Sequence, residues 1–354
     1  MALRVGLIGA GGIGALRATA LAASQDCDLC AVADLDSALS RKAALMGGGA
    51  PKVAEFSDHL AMLDAGGLDA VVVSTPPATH EALCIDAMDA GLHVLCEKPL
   101  ANSLAAARRM VEHSGEQGRV LATGFNHRYF PAIARVREAV VSGEIGVLDH
   151  VRGFTGHRGL GELQGAPWLT DPESMGGGAL VDNGIHMLDL VRHILGEVSE
   201  VSGLVSERVW KIPGAEDNGI ALLRSPEGCS ASLHASWTEW RGYRFWLAAY
   251  GDRGTAWAYY APMVGLVVQL DEPGGKPRRS LSLYPRVNLR EKLRGWQSSV
   301  LIAFNEEFRD FCGLIEGRAG RIATGFDGFR AIEIADAIRR SSARSEVVSL
   351  CEPF

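Results

Sequence analysis

The hydrophobic pattern divides the sequence into two halves of different character. From Leu3 to Gly124, short apolar segments alternate with stretches in which apolar residues recur at helical spacing. This alternation is typical of a parallel sheet covered by helices. It predicts strands over residues 3–8, 29–34, 70–74, 94–96 and 120–123, and helices over 37–46, 79–90 and 103–117. The first half is therefore predicted to be a doubly wound α/β domain.

After Gly124 the pattern changes to an alternation of single polar and apolar residues. Residues 229–237 alternate throughout, which indicates an antiparallel strand with one exposed face. Less regular segments of this kind cover 148–157, 198–210, 219–223, 244–250, 255–260 and 264–270. We expect a second, α+β domain, and we divide the chain into a dinucleotide-binding domain 1–124 and a substrate-binding domain 125–354. Phe304, Phe308 and Phe311 recur at helical spacing and are predicted to pack in a core.

A glycine-rich turn follows the first predicted strand. Residues 9–14 read Gly-Ala-Gly-Gly-Ile-Gly, and Asp34 ends the second predicted strand. Between a strand and a helix this spacing indicates a Rossmann dinucleotide site. The first glycine makes the turn, the second admits a pyrophosphate, and the third lets the helix pack on the strand. A purely structural glycine turn is the alternative. The predicted cofactor contacts in this motif are Gly9, Gly11, Gly12, Ile13, Gly14 and Asp34.

Asp34 also bears on the choice between NAD and NADP. Its carboxylate can accept hydrogen bonds from an adenosine ribose and would repel a 2′-phosphate, and no basic residue follows it directly. NAD is therefore favoured. Arg41 and Lys42 lie close enough in the sequence to reach a phosphate, so NADP remains the less favoured alternative.

Polar residues follow three of the predicted parallel strands. Asp34 ends one strand, Ser74, Thr75 and Pro76 follow another, and Glu97 and Lys98 follow a third. Ligands of such sheets bind outside the carboxyl ends of the strands. Lys98 precedes a proline, which restricts its backbone, and its ammonium can reach a substrate oxygen beside a nicotinamide. An exposed lysine paired with Glu97 is the alternative.

The helical pattern over 179–195 carries three titratable residues at helical spacing. Asp182, His186 and Asp189 would lie on one face of this helix. One hypothesis is that His186 takes the proton of an alcohol as hydride leaves, while Asp182 sets its orientation and basicity. A structural, hydrogen-bonded pair is an equal alternative. A metal site is disfavoured because the sequence offers no third or fourth ligand.

Composition narrows the class of protein further. The chain has 354 residues, 47% of them hydrophobic, and a net charge of −7. No cluster of basic residues is interleaved with aromatics, so a nucleic-acid partner is not expected. Neither a signal peptide nor a membrane span fits the sequence. Seven scattered cysteines argue for a reducing compartment, so we expect a cytoplasmic protein.

Taken together, the motifs resemble the Gfo/Idh/MocA oxidoreductase family in order and spacing, over essentially the whole chain. The matching segments are residues 9–14, 97–99, 124–128 and 176–186. The resemblance implies a Rossmann domain followed by a domain with a large, mostly antiparallel open sheet that forms homodimer or homotetramer contacts. It places Lys98, Asp182 and His186 at the family's catalytic positions. Near the cofactor it places Thr75, Pro76, His80, Glu97 and Asn126, beside Ser74 and Lys98.

The expected reaction is hydride transfer between nicotinamide and a hydroxyl or carbonyl of a sugar, cyclitol or related polyol. Lys98 and His186 would then lie on either side of the reactive nicotinamide carbon and both contact the substrate. Further substrate-side candidates come from the helix face and from the glycine-rich loop over 157–178, and they are Arg158, Trp168, Asn183 and Asp189. An NADP-linked ketosugar or imine reductase and a non-catalytic NAD-binding regulator are the alternatives.

Overall fold

The computed structural model describes residues 2–46, 53–161 and 167–350. The chain divides into two compact units. The first consists of Met1–Tyr129 and Glu291–Phe329, and the second of Phe130–Arg290 and Arg330–Phe354. A segment near the C-terminus therefore belongs to the first unit, which the sequence pattern did not indicate. The assignment of cofactor and substrate binding to domains 1–124 and 125–354 stays a prediction.

The strands are β1 (Leu3–Ile8), β2 (Cys27–Ala33), β3 (Ala54–Phe56), β4 (Ala70–Val73), β5 (His93–Cys96), β6 (Leu121–Thr123), β7 (Leu148–Gly156), β8 (Glu200–Ser206), β9 (Asn218–Arg224), β10 (Ser230–Ser236), β11 (Arg244–Gly251), β12 (Gly254–Tyr260), β13 (Val264–Gln269), β14 (Arg278–Ser282), β15 (Ala323–Thr324) and β16 (Val348–Ser349). The α-helices are α1 (Gly12–Ala23), α2 (Ser37–Met46), α3 (His59–Asp64), α4 (His80–Asp89), α5 (Leu104–Gln117), α6 (Pro131–Val141), α7 (Pro172–Met175), α8 (Gly184–Leu195), α9 (Pro285–Arg294), α10 (Gln297–Ile315) and α11 (Gly325–Arg344). None of these helices, within the residues described, has the length and hydropathy needed to cross a membrane.

The first unit is built on a sheet in the order β15-β6-β5-β4-β1-β2-β3. Strands β1 to β6 are parallel, and β15 pairs antiparallel with β6 at one edge. The strand order reverses between β1 and β4, which is the switch point where nucleotides bind in Rossmann sheets. The predicted doubly wound fold is confirmed.

Two short elements of this unit escaped the sequence analysis. Strand β3 has three residues and helix α3 has six, so neither shows a full period of hydrophobic alternation. The helix is initiated by Asp58, whose side chain accepts hydrogen bonds from the backbone N–H groups of Leu60 and Ala61. A cap of this kind identifies a helix start only when a periodic pattern follows it.

The C-terminal segment of the first unit contributes helix α10 to the core. Phe304, Phe308 and Phe311 are buried in one cluster with the inward-facing residues of β1 and β2. The prediction that these phenylalanines pack in a core is confirmed.

The second unit contains a nine-stranded sheet in the order β14-β13-β12-β11-β7-β10-β9-β8-β16. Neighbouring strands are antiparallel except β7 and β10, which run parallel. In β10, Ala231, Leu233 and Ala235 are buried, and helix α8 packs against β7 and β10. The expected α+β domain with a mostly antiparallel sheet is therefore confirmed.

The predicted helix over 179–195 begins later than the pattern suggested. Helix α8 starts at Gly184, and residues 179–183 form turns. The carboxylate of Glu216 accepts hydrogen bonds from the N–H groups of Gly178 and Leu180, and its backbone carbonyl accepts one from Ala179. These contacts hold the segment in a non-helical path. The prediction that Asp182 shares a helix face with His186 was wrong, because Asp182 precedes the helix.

Candidate active site

The glycine-rich turn between β1 and α1 has a backbone path that two of its glycines make possible. Gly9 has φ +88°, and a Cβ there would lie 2.7 Å from the carbonyl oxygen of Ser74. A Cβ on Gly14 would lie 2.0 Å from the carbonyl oxygen of Gly9. By contrast, no described atom lies within 4 Å of a Cβ built on Gly11 or Gly12. The backbone at Gly11 and Gly12 therefore offers the open approach that a pyrophosphate needs, and the turn fits NAD.

Asp34 follows β2 and is joined to this turn by hydrogen bonds. Its carboxylate accepts a hydrogen bond from the N–H of Ala10 at 2.6 Å and another from the N–H of Asp36 at 2.8 Å. The side chain is half-buried, so part of its surface is open to a ligand. Arg41, which could attract a 2′-phosphate, lies 3.6 Å from the carboxylate of Glu55. Asp34 is thus fixed beside the glycine-rich turn.

His80 links two of the predicted cofactor segments. Its ring is fully buried, with Nε2 2.8 Å from the carbonyl oxygen of Thr75 and Nδ1 3.0 Å from that of Pro99. Burial lowers the pKa of this imidazole, and the backbone carbonyls at its two nitrogens act in the opposite direction. His80 therefore holds the segment after β4 against the segment after β5. In the segment after β4, Ser74, Thr75 and Pro76 are half-buried. Its own contact with a cofactor stays a prediction.

Lys98 is half-buried directly after β5. The preceding Glu97 is buried and forms an ion pair with Arg17. The catalytic role of Lys98 stays a prediction. Asn126 and His127 lie in a short 3-10 helix after β6 and are both buried. Burial lowers the pKa of His127 to about 3, and the positive charge of Lys98 adds to this effect. A neutral imidazole therefore lies within electrostatic reach of Lys98, a feature that the sequence analysis missed.

In the second unit, Asp182 is held by two donors from the sheet. Its Oδ2 atom lies 2.8 Å from Nε2 of His157 and accepts a hydrogen bond of 3.0 Å from Nε1 of Trp237. The Nδ1 atom of His157 accepts a hydrogen bond from the N–H of Gly159. Because Nδ1 is an acceptor, Nε2 carries the proton and donates a hydrogen bond to Asp182. His157 is thus committed at both nitrogens and acts as a fixed donor.

Tyr243 contributes a hydroxyl to the same region. Burial raises its pKa, and the negative charge of Asp182 raises it further, while a hydrogen bond with Thr155 acts in the opposite direction. Its hydroxyl therefore stays protonated and can donate. Sequence reasoning missed His157, Trp237 and Tyr243 as neighbours of Asp182, because they lie at or beyond the ends of strands whose register the pattern does not give.

The glycines on either side of Asp182 allow close packing. A Cβ on Gly178 would lie 2.3 Å from the carbonyl oxygen of Glu216, and one on Gly184 would lie 2.9 Å from the Cβ of Ala235. Glu216 is buried and also forms an ion pair with Arg339 at 3.1 Å. The glycine-rich sequence therefore brings the turn at Asp182 against the backbone of 215–216 and starts helix α8 against β10.

The remaining predicted residues of this unit differ in exposure. His186 and Asp189 are buried in α8, and Asn183, directly before the helix, is half-buried. Arg158 is exposed after β7 and Trp168 is half-buried in a short 3-10 helix. Residues 162–166 of the predicted loop lie outside the described residues. Over the part of the chain that is described, no group of three or more His, Cys, Asp or Glu residues could hold a metal ion.

Each of the two units thus contributes a distinct set of functional groups. One unit has a Rossmann turn with open glycines, a carboxylate that accepts a hydrogen bond from this turn and a lysine at the carboxyl edge of the sheet. The other has a buried imidazole and a carboxylate held by two donors. A dinucleotide-binding turn of this kind is typical of nicotinamide-dependent oxidoreductases.

Comparisons with known proteins agree with this class of enzyme. Residues 3–125 match the family model of an oxidoreductase family with an NAD-binding Rossmann fold, and residues 133–257 match that of a GFO/IDH/MocA C-terminal domain. The chain is 30% identical over 357 aligned positions to the myo-inositol 2-dehydrogenase of Thermotoga maritima, covering 99% of each chain. The chain belongs to the Gfo/Idh/MocA family.

The chain is also similar to two dehydrogenases that act on other carbohydrates. The chain is 39% identical over 202 residues to the D-glucoside 3-dehydrogenase of Escherichia coli K12, covering 55% of this chain and 54% of the relative. Its fold matches that of levoglucosan dehydrogenase in complex with NADH and L-sorbose, with a TM-score of 0.86, 24% identity and complete coverage of both chains. The family resemblance, the enzyme class and NAD binding expected from the sequence are confirmed.

Proposed function

We propose that the protein is an NAD-dependent dehydrogenase that oxidises a secondary hydroxyl of a cyclitol, sugar or related polyol. The observation that carries this proposal is the buried Asp182 carboxylate, held by two N–H donors directly before the helix that bears His186. The myo-inositol and D-glucoside dehydrogenases support the substrate class, because both substrates present ring hydroxyls.

The proposed roles follow from the chemistry of each group. When bound, NAD supplies a hydride acceptor. His186 takes the proton from the reacting hydroxyl, as a general base whose ordinary pKa lies near neutrality. Asp182 orients that imidazole and favours its protonated form, and Lys98 stabilises the alkoxide character of the oxygen through its positive charge. His157 cannot replace His186 as the base, because both of its ring nitrogens are engaged.

The remaining assignments are part of the same proposal. Asp34 would accept hydrogen bonds from the adenosine ribose and exclude a 2′-phosphate, which favours NAD over NADP. Gly9, Gly11, Gly12, Ile13, Gly14, Ser74, Thr75, Pro76, His80, Glu97, Lys98 and Asn126 would form the cofactor side. Arg158, Trp168, Asn183 and Asp189 would contact the substrate, as would Lys98 and His186.

We also propose that the protein forms a homodimer or homotetramer through the second unit's sheet. Leu204, Ile220 and Leu222 are exposed on adjacent strands β8 and β9, where Leu204 pairs with Ile220. On the same sheet the rings of Trp246 and Trp257 stack at 5.7 Å. A second copy of the chain would remove this apolar surface from water.

The test is a panel of cyclitols, sugars and sugar acids offered with NAD and with NADP, followed by nicotinamide absorbance. We expect NADH formation with at least one cyclitol or sugar, and a higher kcat/KM with NAD than with NADP. Absence of turnover across the panel with both cofactors would favour a regulator, and a preference for NADP would favour the reductase alternative.

A further inference from the structure

A buried ionic cluster links helix α1, the segment after β5 and helix α10. The Arg17 guanidinium, fully buried in α1, donates from Nε to Glu97 at 2.7 Å and from Nη1 to Glu307 at 2.5 Å. Its Nη2 atom lies 2.6 Å from Glu97 as well. Because Glu307 lies in α10, the cluster draws its second carboxylate from the C-terminal segment of the first unit.

The surroundings leave this cluster little freedom. The guanidinium carbon of Arg17 lies 3.6 Å from the ring centroid of Phe304, so an aromatic face covers it. On another side, a Cβ added to Gly124 would lie 2.7 Å from Nη2 of Arg17 and 3.2 Å from Oε2 of Glu97. Arg17 therefore presents its donors to Glu97 and Glu307 in one fixed arrangement.

The charges in the cluster do not balance when both carboxylates are ionised. One guanidinium then faces two buried carboxylates, and an excess charge without water is costly. Arg17, Glu97, Arg128 and Tyr129 are the titratable groups that act on Glu307. Burial, with the charge of Glu97, raises the pKa of Glu307 to about 7 against the attraction of Arg17 and Arg128. Glu307 thus exchanges a proton near neutral pH.

Glu97 connects this cluster to Lys98. The backbone N–H of Lys98 donates to Oε2 of Glu97 at 3.3 Å, so the orientation of the Glu97 carboxylate bears on the backbone that carries the Lys98 ammonium. When Glu307 is neutral, the positive charge of Arg17 is balanced by Glu97. When Glu307 is ionised, the two carboxylates share the same guanidinium.

We propose that Arg17 and Glu307 are positioning residues for Lys98, and that the proton on Glu307 governs how firmly Glu97 holds the Lys98 backbone. This inference rests on the proposed function for the role of Lys98. Its geometric part, the dependence of Lys98 on Glu307, can be measured without turnover.

The test measures acetylation of Lys98 relative to the exposed Lys211 by peptide mass spectrometry, from about pH 5.5 to about pH 8.5, a range that brackets the pKa of Glu307. We expect the ratio of the two rates to change by about twofold or more across this range in the wild type, because the environment of Lys98 changes as Glu307 titrates. In E307Q, which mimics the protonated carboxyl, the ratio should stay constant. The matched control is E306Q, which removes the adjacent carboxylate of α10 and should behave as the wild type.

Kinetics provide the second readout. We expect E307A to lower kcat by roughly 10- to 100-fold, the scale of a small misplacement of a catalytic group, with little change in NAD affinity. E307Q should restore most of kcat, and its pH profile should lack the contribution of Glu307 while keeping that of the general base.

A constant Lys98 to Lys211 ratio in the wild type, or the same pH dependence in E307Q, would overturn the inference even if E307A fails to fold. Wild-type protein that turns over no polyol would instead end the proposed function and leave the acetylation result standing.

Discussion

At the scale of single residues, His186 has the most specific proposed role. It is buried at the start of α8, and His157 is already engaged at both nitrogens. We predict that H186A lowers kcat/KM by about 10²- to 10⁴-fold, the usual contribution of a positioned general base, while NAD affinity changes little. Steady-state kinetics and NAD titration measure the two effects. The control is H113A on α5, and activity of H186A equal to that of this control would remove His186 from the mechanism.

Asp34 is the residue that we propose sets the preference for NAD over NADP. Its carboxylate is fixed by the N–H groups of Ala10 and Asp36 and is partly open to a ligand. We predict that D34A weakens NAD binding by roughly 10- to 100-fold, because hydrogen bonds to a charged group contribute about 1.5–3 kcal/mol, and that NADP is affected less. Calorimetric titration with both cofactors tests this, with D28A on the exposed side of β2 as the control. An unchanged ratio of NAD to NADP affinity would show that Asp34 does not discriminate.

At the scale of elements, α10 carries a pH-dependent contribution to stability. The pKa of Glu307 is raised from 4.5 to about 7 by burial. The folded protein therefore binds this proton more tightly than the unfolded chain. Its stabilising contribution is complete below about pH 4.5 and is lost as the pH rises through about 7.

We predict that E307Q removes this dependence. Between about pH 5 and about pH 8 the unfolding free energy of the wild type should fall by about 3 kcal/mol relative to E307Q, the equivalent of the raised pKa. Urea unfolding at several pH values measures it, with E306Q as the control. Parallel curves for wild type and E307Q would mean that Glu307 is already ionised in the folded protein.

The elements also show what the sequence could and could not predict. The parallel strands were predictable because each is a continuous apolar segment, and α5 because Ser103 and Gly118 mark its two ends. The start of α8 was not, because residues 179–183 have a helical pattern that Glu216 overrides through hydrogen bonds across more than thirty positions of chain. Tertiary contacts of this kind leave no periodic signal.

In the candidate site, too, the sequence predicts some features and not others. The sequence motif singled out Asp182 and His186, but it placed both on one helix face, whereas Asp182 precedes α8. It gave no sign of the donors to Asp182. His157 and Trp237 meet because β7 and β10 pair in parallel, with Gly156 opposite Ser236. No local pattern specifies that register. The ionic cluster at Arg17 likewise depends on the return of α10 to the first unit.

At the scale of the whole molecule, the exposed sheet face of the second unit predicts self-association. Leu222 is 62% exposed on β9, two residues from the exposed Ile220 on the same strand. We predict that the wild type has the mass of a dimer or tetramer and that L222E shifts it toward smaller species, because a buried, unpaired carboxylate is costly at an apolar interface. Light scattering after size exclusion measures the mass, with L45E on α2 as the control. A monomeric wild type, or a mass unaffected by L222E, would contradict this interface.

The central claim is direct hydride transfer from a polyol carbon to NAD with proton transfer by this chain's own residues. It is tested most directly by incubating the enzyme with NAD and myo-inositol deuterated at its carbinol carbons, and measuring the mass of the reduced cofactor. We expect the NADH formed by the wild type to carry deuterium and H186A to form far less of it. Reduced cofactor without deuterium, or no reduced cofactor from any deuterated cyclitol or sugar, would contradict the account.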